Sequence, residues 1–291
     1  MFEGFTTETH ELDGARLAVR IGGDGPPVLL LHGYPQTGAM WHATAAALAR
    51  RYTVVVPDLR GYGRSEALDE DFSFRAMARD GVELMTRIGL DRFAVVGHDR
   101  GARTAHRMAL DHGERLTSVA LLDILPTLEV WRTMDAWLAR RYFHWLFLSQ
   151  PAPLPDTLIQ AEPLVYLDAA LGGLGGESAV FDDEALAEYR EAAQRPDVVA
   201  AWCHDYRAAA TTDVELDEAD EGRVLDHPCL VLWGAKGFVA HHVDPLEAWR
   251  RRFSHAVGHA VDAGHFLVEE RPEEVLLAIE AHLDASDSRA G

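Results

Sequence analysis

VVGHDRGAR, residues 95–103, is the stretch that decides the fold. It begins as an apolar strand pattern, turns at Asp99, and continues as a helix pattern with small and apolar residues on one face. Gly97 and Gly101 stand two residues before and two residues after Asp99, as a sharp turn requires when its central residue has a strained backbone. The stretch therefore predicts that Asp99 is presented as a nucleophile at the carboxyl end of a strand.

Apolar runs on both sides of this stretch predict the other strands of a buried sheet. The predicted strands are VLLLH (28–32), VVVPD (54–58), FAVVGH (93–98), SVALLD (118–123) and CLVLWG (229–234). Ser73 suits the N-cap of a helix over 74–88, and Pro272 suits the first turn of the last helix. Alternating strands and helices are typical of a mostly parallel, doubly wound sheet, and with the turn at Asp99 they predict the α/β-hydrolase fold.

The alternation stops after Pro126. From there to CLVLWG the patterns are helical and rich in aromatic residues, with no buried strand among them. We therefore predict an α/β-hydrolase core of residues 1–127 and 215–291, with an inserted helical cap over residues 128–214. Within the cap, GGLGG (172–176) follows no strand and contains no lysine, so it predicts a flexible loop and not a phosphate site.

Charge and composition restrict the partners of the chain. The net charge of −20 argues against nucleic acids and anionic membrane surfaces, while a local cluster of arginines can still bind a small anion. The two cysteines form no disulfide framework, and the N-terminal stretch lacks the basic and apolar regions of a signal peptide. No apolar run approaches the length of a membrane span, so we expect a cytoplasmic protein.

An aspartate at the turn changes the chemistry that a serine would perform. A carboxylate displaces a leaving group from a saturated carbon and becomes an alkyl ester, which water must then hydrolyse. Hydrolysis needs a general base and donors for the oxyanion. His265, in Gly264-His265-Phe266 near the C-terminus, is the best-placed base, and the backbone N–H groups of Tyr34 and Arg100 are the natural oxyanion donors.

The base needs an acid that orients it. Ala235-Lys236-Gly237 follows CLVLWG without a carboxylate, so Asp123 at the end of SVALLD is the preferred acid. Asp244 is the alternative, although its place before Pro245 also suits a helix N-cap.

Arg100 and Arg103 follow the nucleophile at the start of a helix, whose dipole favours anions. Arginine binds a carboxylate through two parallel hydrogen bonds, so the pair predicts a substrate carboxylate held with its α-carbon near Asp99. The alternative is that one arginine only pairs with a surface acid.

Several motifs together resemble a known family, the fluoroacetate dehalogenases, which are also called haloacetate dehalogenases. The resemblance extends from about residue 4 to 283 and rests on LHGYPQT (31–37), DLRGYGRS (58–65), GHDRGARTAHRMALDH (97–112), YFHW (142–145), DYRAAAT (205–211) and GHF (264–266). It implies that Asp99 is the nucleophile, that Arg100 and Arg103 hold the substrate carboxylate, and that His265 works with Asp123.

The resemblance also implies a halide pocket, a homodimer and no metal or cofactor. The pocket falls on His144, Trp145 and Tyr206, whose N–H and O–H groups suit a leaving fluoride because that ion binds hard donors strongly. Position 34 is tyrosine where relatives more often have phenylalanine, which we expect to alter pocket shape but not the backbone donor.

The resemblance implies hydrolytic dehalogenation of small 2-haloacids, with fluoroacetate or chloroacetate giving glycolate and halide. Two alternatives stay open. An epoxide hydrolase shares the nucleophilic aspartate and the HGxP loop, but it usually needs two cap tyrosines and no carboxylate-binding arginines. A receptor for small acids on a hydrolase scaffold would bind such a ligand without converting it.

Overall fold

The sheet has the predicted mostly parallel arrangement. The computed structural model describes residues 1–175 and 181–290. Within them the strands are β1 Thr6–Glu11, β2 Ala15–Gly22, β3 Pro27–Leu31, β4 Thr53–Pro57, β5 Glu66–Ala67, β6 Phe93–His98, β7 Leu116–Leu122, β8 Leu225–Gly234 and β9 Phe253–Val261. The strand order is β1-β2-β4-β3-β6-β7-β8-β9, with β5 beside β2. The neighbours in the run β4-β3-β6-β7-β8-β9 pair in parallel, whereas β2 pairs antiparallel with β1, β4 and β5.

The five predicted strands are present, each within a few residues of its predicted bounds. They form the centre of the sheet, where β3, β4, β6 and β7 are almost wholly buried because helices cover both faces. The sequence reading missed β1, β2, β5 and β9. The pattern of β1 is almost wholly exposed, and that of β9 alternates irregularly at the sheet edge, so neither gives a continuous apolar run.

Helices surround the sheet and fill the interval between β7 and β8. In the core they are α1 His42–Leu48, α2 Phe74–Arg87, α3 Arg100–His112, α12 Pro245–Arg250, α13 Leu267–Glu270 and α14 Pro272–Ala290. Between β7 and β8 they are α4 Thr127–Arg132, α5 Ala136–Arg141, α6 Phe143–Leu148, α7 Leu154–Ala161, α8 Pro163–Gly175, α9 Asp183–Ala193, α10 Pro196–Ala210 and α11 Thr212–Ala219. The N-cap predicted at Ser73 is confirmed, since its side chain accepts a hydrogen bond from the Ala76 N–H at 3.2 Å.

In its described residues the segment between β7 and β8 contains helices joined by turns and no strand, and it corresponds to the predicted cap. The division into core and cap at residues 127/128 and 214/215 stays a prediction. One detail of the cap was wrong: residues 172–175 belong to α8 and do not form a loop. Leu167, Leu171 and Leu174 bury one face of this helix, which offsets the low helix propensity of the glycines. Gly176 lies outside the described residues.

Over the part of the chain that the structure describes, no helix combines the length and the apolar character needed to cross a bilayer.

Candidate active site

Asp99 lies at the turn between β6 and α3, with a backbone that few residues adopt. Its φ is 46° and its ψ is −111°, a strained conformation that costs about 1–3 kcal/mol. The glycines beside it permit close backbone approach: a Cβ on Gly97 would lie 2.3 Å from the Gly101 carbonyl oxygen, and one on Gly101 would lie 2.2 Å from that of Leu31. The spacing of small residues around Asp99 is therefore a steric requirement of this turn.

His265 is bound to Asp123 at the carboxyl end of the sheet. Nδ1 of His265 lies 2.6 Å from Oδ2 of Asp123, and the other carboxylate oxygen accepts a hydrogen bond from the Gly234 N–H at 2.8 Å. Asp123 follows β7 with a positive φ of 54°. Asp244, by contrast, caps α12 by accepting from the N–H groups of Leu246 and Glu247. The geometry thus joins His265 to Asp123 and gives Asp244 a structural position.

The surroundings of His265 favour its protonated form more than water does. Burial lowers its pKa, but the hydrogen bond and the negative charge of Asp123 outweigh burial and raise the pKa above its ordinary value. The ring of His98 is tilted by 45° against that of His265, with centroids 4.7 Å apart, and it is neutral because burial lowers its pKa to about 3. Nε2 of His265 has no hydrogen-bond partner among the described residues, so it is available to a water molecule.

Asp99 is ionised in this setting. Burial alone would raise its pKa, but the charges of His265, Arg100 and Arg103 outweigh burial and lower the pKa to about 2. The Tyr34 N–H donates to Oδ2 of Asp99 at 3.0 Å, so one of the two predicted oxyanion donors already contacts this oxygen. The Arg100 N–H forms no hydrogen bond with protein in the described chain, and its role as the second donor stays a prediction.

Arg100 is buried against the cap. Its Nε donates to Oδ2 of Asp205 at 2.9 Å and its Nη2 donates to Oδ1, while Nη1 is buried without a partner. The guanidinium carbon lies 4.1 Å from the centre of the Tyr206 ring. The Asp205 charge and hydrogen bond overcome the cost of burial and raise the pKa of Arg100, which stays charged.

Arg103 lies beside Arg100 but has different partners. Its Nη1 donates to the Leu125 carbonyl oxygen at 3.0 Å and to the Thr127 hydroxyl at 3.1 Å, and its Nε is buried without a partner. Its guanidinium carbon lies 4.6 Å from the centre of the Trp145 ring. Burial lowers its pKa below the ordinary arginine value. Each arginine therefore keeps one buried nitrogen without a protein partner, and the charges of both act on Asp99.

The three predicted halide ligands lie together in the cap. Ring centroids of His144 and Trp145 are 5.5 Å and 5.9 Å from that of Tyr206. The Tyr206 hydroxyl is buried without a hydrogen-bond partner, and the side chains of His144 and Trp145 form no hydrogen bond with protein in the described residues. Burial lowers the pKa of His144 to about 3, so its ring is neutral and carries one N–H donor. The assignment of these residues to halide stays a prediction.

His144 also lines a cavity of about 270 Å³ that opens between α5, α6 and α8. Arg140, Arg141 and Tyr166 contribute to its wall. The Tyr34 ring stacks on His144 at a centroid distance of 5.7 Å, and its hydroxyl donates to that of Tyr166 at 3.0 Å. Tyr34 therefore lies between this cavity and Asp99.

The sequence reading missed the partners that fix the site. Three residues were not singled out: Asp205, which pairs with Arg100; Tyr62, which donates to Asp205; and Tyr166, which binds Tyr34. A signal for Asp205 existed, because it directly precedes Tyr206 in the DYRAAAT motif. A buried acid next to a binding residue and opposite an unpaired arginine is a reasonable ion-pair candidate.

Comparisons with known proteins agree with the fold. A family model described as the α/β-hydrolase fold matches residues 26–272. The chain belongs to the α/β-hydrolase family. It is 43% identical to a fluoroacetate dehalogenase from Burkholderia sp, over 100% of this chain and 97% of that protein. The resemblance drawn from the motifs is thus confirmed over the whole chain.

Other relatives carry other names. A soluble epoxide hydrolase from Corynebacterium sp. (strain C12) is 31% identical over 93% of this chain and 96% of that protein. A mutant of a putative epoxide hydrolase from Pseudomonas aeruginosa has a TM-score of 0.95 and 43% identity, covering 98% of both chains. A putative α/β hydrolase from Nostoc sp PCC 7120 has a TM-score of 0.94 and 47% identity, covering 97% of this chain and 99% of that one.

Proposed function

We propose that this protein is a hydrolytic dehalogenase that converts small 2-haloacids, such as fluoroacetate or chloroacetate, to glycolate and halide. The observation that carries the proposal is an ionised aspartate at the strained turn, placed with a His–Asp pair and two buried arginines. The resemblance to a fluoroacetate dehalogenase supports the same reaction.

The first step is a displacement at the α-carbon. The substrate carboxylate binds the free N–H groups of Arg100 and Arg103, which places the α-carbon near Asp99. Oδ2 of Asp99 is engaged by the Tyr34 N–H, so Oδ1 attacks. The carbon–halogen bond breaks as the carbon–oxygen bond forms, and the halide takes the electron pair toward the cap donors. Its developing charge strengthens those hydrogen bonds in the transition state.

The second step hydrolyses the ester. Nε2 of His265 accepts a proton from water, and the hydroxide adds to Cγ of Asp99. Charge moves to Oδ2, where the Tyr34 N–H and, by our prediction, the Arg100 N–H stabilise it. The bond between Cγ and the ester oxygen then breaks, His265 returns its proton to the departing glycolate oxygen, and Asp99 loses one proton to solvent. Asp123 holds the ring of His265 and stabilises its charged form.

The test is halide and glycolate release from fluoroacetate and chloroacetate measured side by side, with Asp99→Asn as the control. We expect release from both acids by the wild-type protein and none by the variant. Release from chloroacetate alone would keep the mechanism and remove the fluoride assignment. A single turnover in heavy-oxygen water should place the label in Asp99 and leave the first glycolate unlabelled; label in that first glycolate would rule out the ester.

Epoxide hydrolysis is the second candidate, because the Corynebacterium relative carries that name and the Tyr206 hydroxyl is a free donor near Asp99. Arg103→Ala separates the two. It should cost dehalogenation roughly 2–5 kcal/mol of transition-state binding, since a substrate carboxylate loses its partner. A neutral epoxide has no such partner to lose. If the protein turns over an epoxide, and the rate is unchanged in Arg103→Ala, the second candidate is favoured.

Binding of a haloacid without any product would instead indicate the receptor alternative. A homodimer and a cytoplasmic location stay predictions.

A further inference from the structure

Asp205, in the cap, forms an ion pair with Arg100, the residue that follows the nucleophile. Besides its two-fold contact with Arg100, its Oδ2 accepts a hydrogen bond from the Tyr62 hydroxyl at 2.6 Å. Both Arg100 and Asp205 are fully buried. Asp205 belongs to α10 and Arg100 to α3, so the ion pair joins the two layers that enclose the site.

This pairing leaves Arg100 with one unpartnered nitrogen, and the Arg100–Asp205 ion pair as a whole carries little net charge. Two of its three nitrogens face Asp205, and Nη1 alone has no partner. The rings of Tyr206 and Phe74 lie 4.1 Å and 4.7 Å from its guanidinium carbon, so the group cannot turn freely. A bound anion would therefore meet one fixed N–H group of Arg100. The positive charge of the guanidinium is already balanced by Asp205.

Arg103 differs from Arg100 because, within the described part of the chain, its positive charge is not paired with a carboxylate. It has no carboxylate partner among the described residues, because Leu125 and Thr127 supply only neutral acceptors. Its charge is not balanced by an ion pair. The two arginines that the sequence presents as equivalent are electrostatically unequal, and Asp205 is the cause.

The nucleophile benefits from the same arrangement. Asp99 forms an ion pair with neither arginine in the described chain, although Arg100 is its immediate neighbour. A guanidinium freed from Asp205 would be attracted to Asp99 and to any bound carboxylate. Tighter binding of substrate and product alike does not speed the reaction and slows the release of glycolate.

We infer that Asp205 is a positioning residue that gives the two arginines different roles. It balances the charge of Arg100 and directs its Nη1 at the substrate. Arg103 then supplies the positive charge that holds the substrate carboxylate. The inference rests on the proposed function, since it concerns how a carboxylate substrate is held. It assigns a role in the reaction to a residue that touches neither the reacting carbon nor the halide.

Asp205→Asn tests the inference because it removes the charge and keeps the shape. The amide oxygen still accepts from Nη2 of Arg100. The amide nitrogen, which takes the place of Oδ2, can donate to Tyr62 but no longer accepts from Nε of Arg100. We expect acetate, a carboxylate that cannot react, to bind roughly tenfold more tightly, because one buried negative charge has gone. We expect kcat for chloroacetate to fall roughly tenfold, because Nη1 loses its fixed direction. A merely structural role would weaken acetate binding and kcat together.

A second buried ion pair provides the matched control. Arg60 donates to Asp80 from Nε at 2.6 Å and from Nη2 at 2.7 Å, and both side chains are buried. Asp80→Asn should lower the melting temperature as Asp205→Asn does, but leave acetate affinity and kcat unchanged. Asp205→Glu keeps the charge and moves it, so acetate affinity should stay within about twofold while kcat falls.

Acetate binding is measured by calorimetry and needs no turnover. It therefore tests the role of Asp205 separately from the proposed dehalogenase activity. A wild-type protein that neither binds acetate nor releases halide contradicts the proposed function itself. A wild-type protein that binds acetate, with an Asp205→Asn variant that binds it no more tightly, overturns the role of Asp205 alone. If Asp205→Asn does not fold, Asp205→Glu decides: retained acetate affinity with reduced kcat supports the inference, and lost affinity overturns it.

Discussion

The two sides of the site differ in how their polar groups are satisfied. On the sheet side, Asp123 accepts from both His265 and the Gly234 N–H, and Oδ2 of Asp99 accepts from the Tyr34 N–H. On the side facing the cap, the Tyr206 hydroxyl and one nitrogen of each arginine are buried without a partner. In the described chain the sheet side holds its carboxylates with protein donors and leaves Nε2 of His265 and the Arg100 N–H open, whereas the cap side leaves buried side-chain donors without a partner.

This difference indicates the kind of ligand that fits. A buried polar group without a partner costs about 1–3 kcal/mol, so several of them in one place need a compensating role. The unpartnered groups on the cap side that we name are all donors, two of them on cations. A ligand with acceptors and negative charge satisfies them, and a haloacid supplies a carboxylate and a developing halide. Variants of the two sides should therefore fail in different ways.

The largest effect should come from the sheet side, with His265→Gln. Displacement by Asp99 does not need the base, so halide should appear in an amount equal to the enzyme and then stop. Turnover should fall roughly 10²–10⁴-fold because the ester is no longer hydrolysed. Peptide mass spectrometry should find Asp99 carrying a carboxymethyl ester.

His106→Gln is the matched control for that variant. His106 is a buried histidine of α3 that packs on Trp249 at a centroid distance of 5.0 Å, away from Asp99. It should accumulate no ester and show no burst. Steady turnover by His265→Gln at the wild-type rate would assign the base to another residue.

On the cap side, Tyr206→Phe should discriminate between halides. The ring that supports Arg100 remains, and only the hydroxyl is lost. We expect kcat for fluoroacetate to fall roughly 10²-fold and that for chloroacetate to fall less, because fluoride depends more on hydrogen bonds as it leaves. Parallel rate measurements on the two acids give the ratio.

Tyr189→Phe serves as its control, since that buried hydroxyl already donates to Glu269 at 3.0 Å. The loss of a satisfied hydrogen bond should lower stability without changing the fluoride-to-chloride ratio. An equal loss for both halides in Tyr206→Phe would place the hydroxyl outside the halide pocket.

The pH dependence should separate the two steps. His265 must be neutral to accept a proton, and the hydrogen bond to Asp123 raises its pKa. Ester hydrolysis should therefore decline by about tenfold per pH unit below the pKa of His265 in the ester, where the Asp123 contact still raises that pKa and the Asp99 charge no longer does. Asp99, with a pKa of about 2, stays ionised over this range, so the halide burst should not decline with it. Rapid-quench measurement of both steps checks this; a halide burst that declines together with ester hydrolysis would contradict the assignment of His265 to the second step alone.

The sequence was most informative where one short segment fixes the geometry. The turn at Asp99 is such a case, because the glycine spacing follows from backbone contacts within a few residues. The central strands were equally readable, because burial on both faces requires continuous apolar runs. The choice of Asp123 over Asp244 also came from position along the chain, and the geometry agrees with it.

What the sequence could not predict depends on contacts between distant segments. Asp205 and Arg100 are 105 residues apart, so only the folded cap shows that one arginine is paired and the other is not. The strands β1 and β9 lie toward the sheet edges and bury too few residues to give a clear pattern. The helix over residues 172–175 is stabilised by leucines before and among its glycines, which a local reading of GGLGG overlooks.

The smallest expected effect belongs to Tyr34→Phe, which tests whether the departure from the family pattern matters. The Tyr34 hydroxyl donates to that of Tyr166 at 3.0 Å, while catalysis uses the backbone N–H, which the substitution retains. We expect a stability loss of about 1 kcal/mol in denaturant unfolding, since one side-chain hydrogen bond disappears. We also expect kcat/KM to change by less than about threefold for either halide.

Tyr166→Phe and the double variant complete a cycle for this contact. If the hydroxyl pair only links the loop after β3 to the cap, the double variant should lose about as much stability as either single variant, since the same hydrogen bond is removed in each. A large, fluoride-specific fall in kcat for Tyr34→Phe, without the same fall for Tyr166→Phe, would instead place the Tyr34 hydroxyl among the halide donors. In that case this donor would already have a protein partner, and the contrast between paired carboxylates on the sheet side and unpartnered donors on the cap side would no longer hold in full.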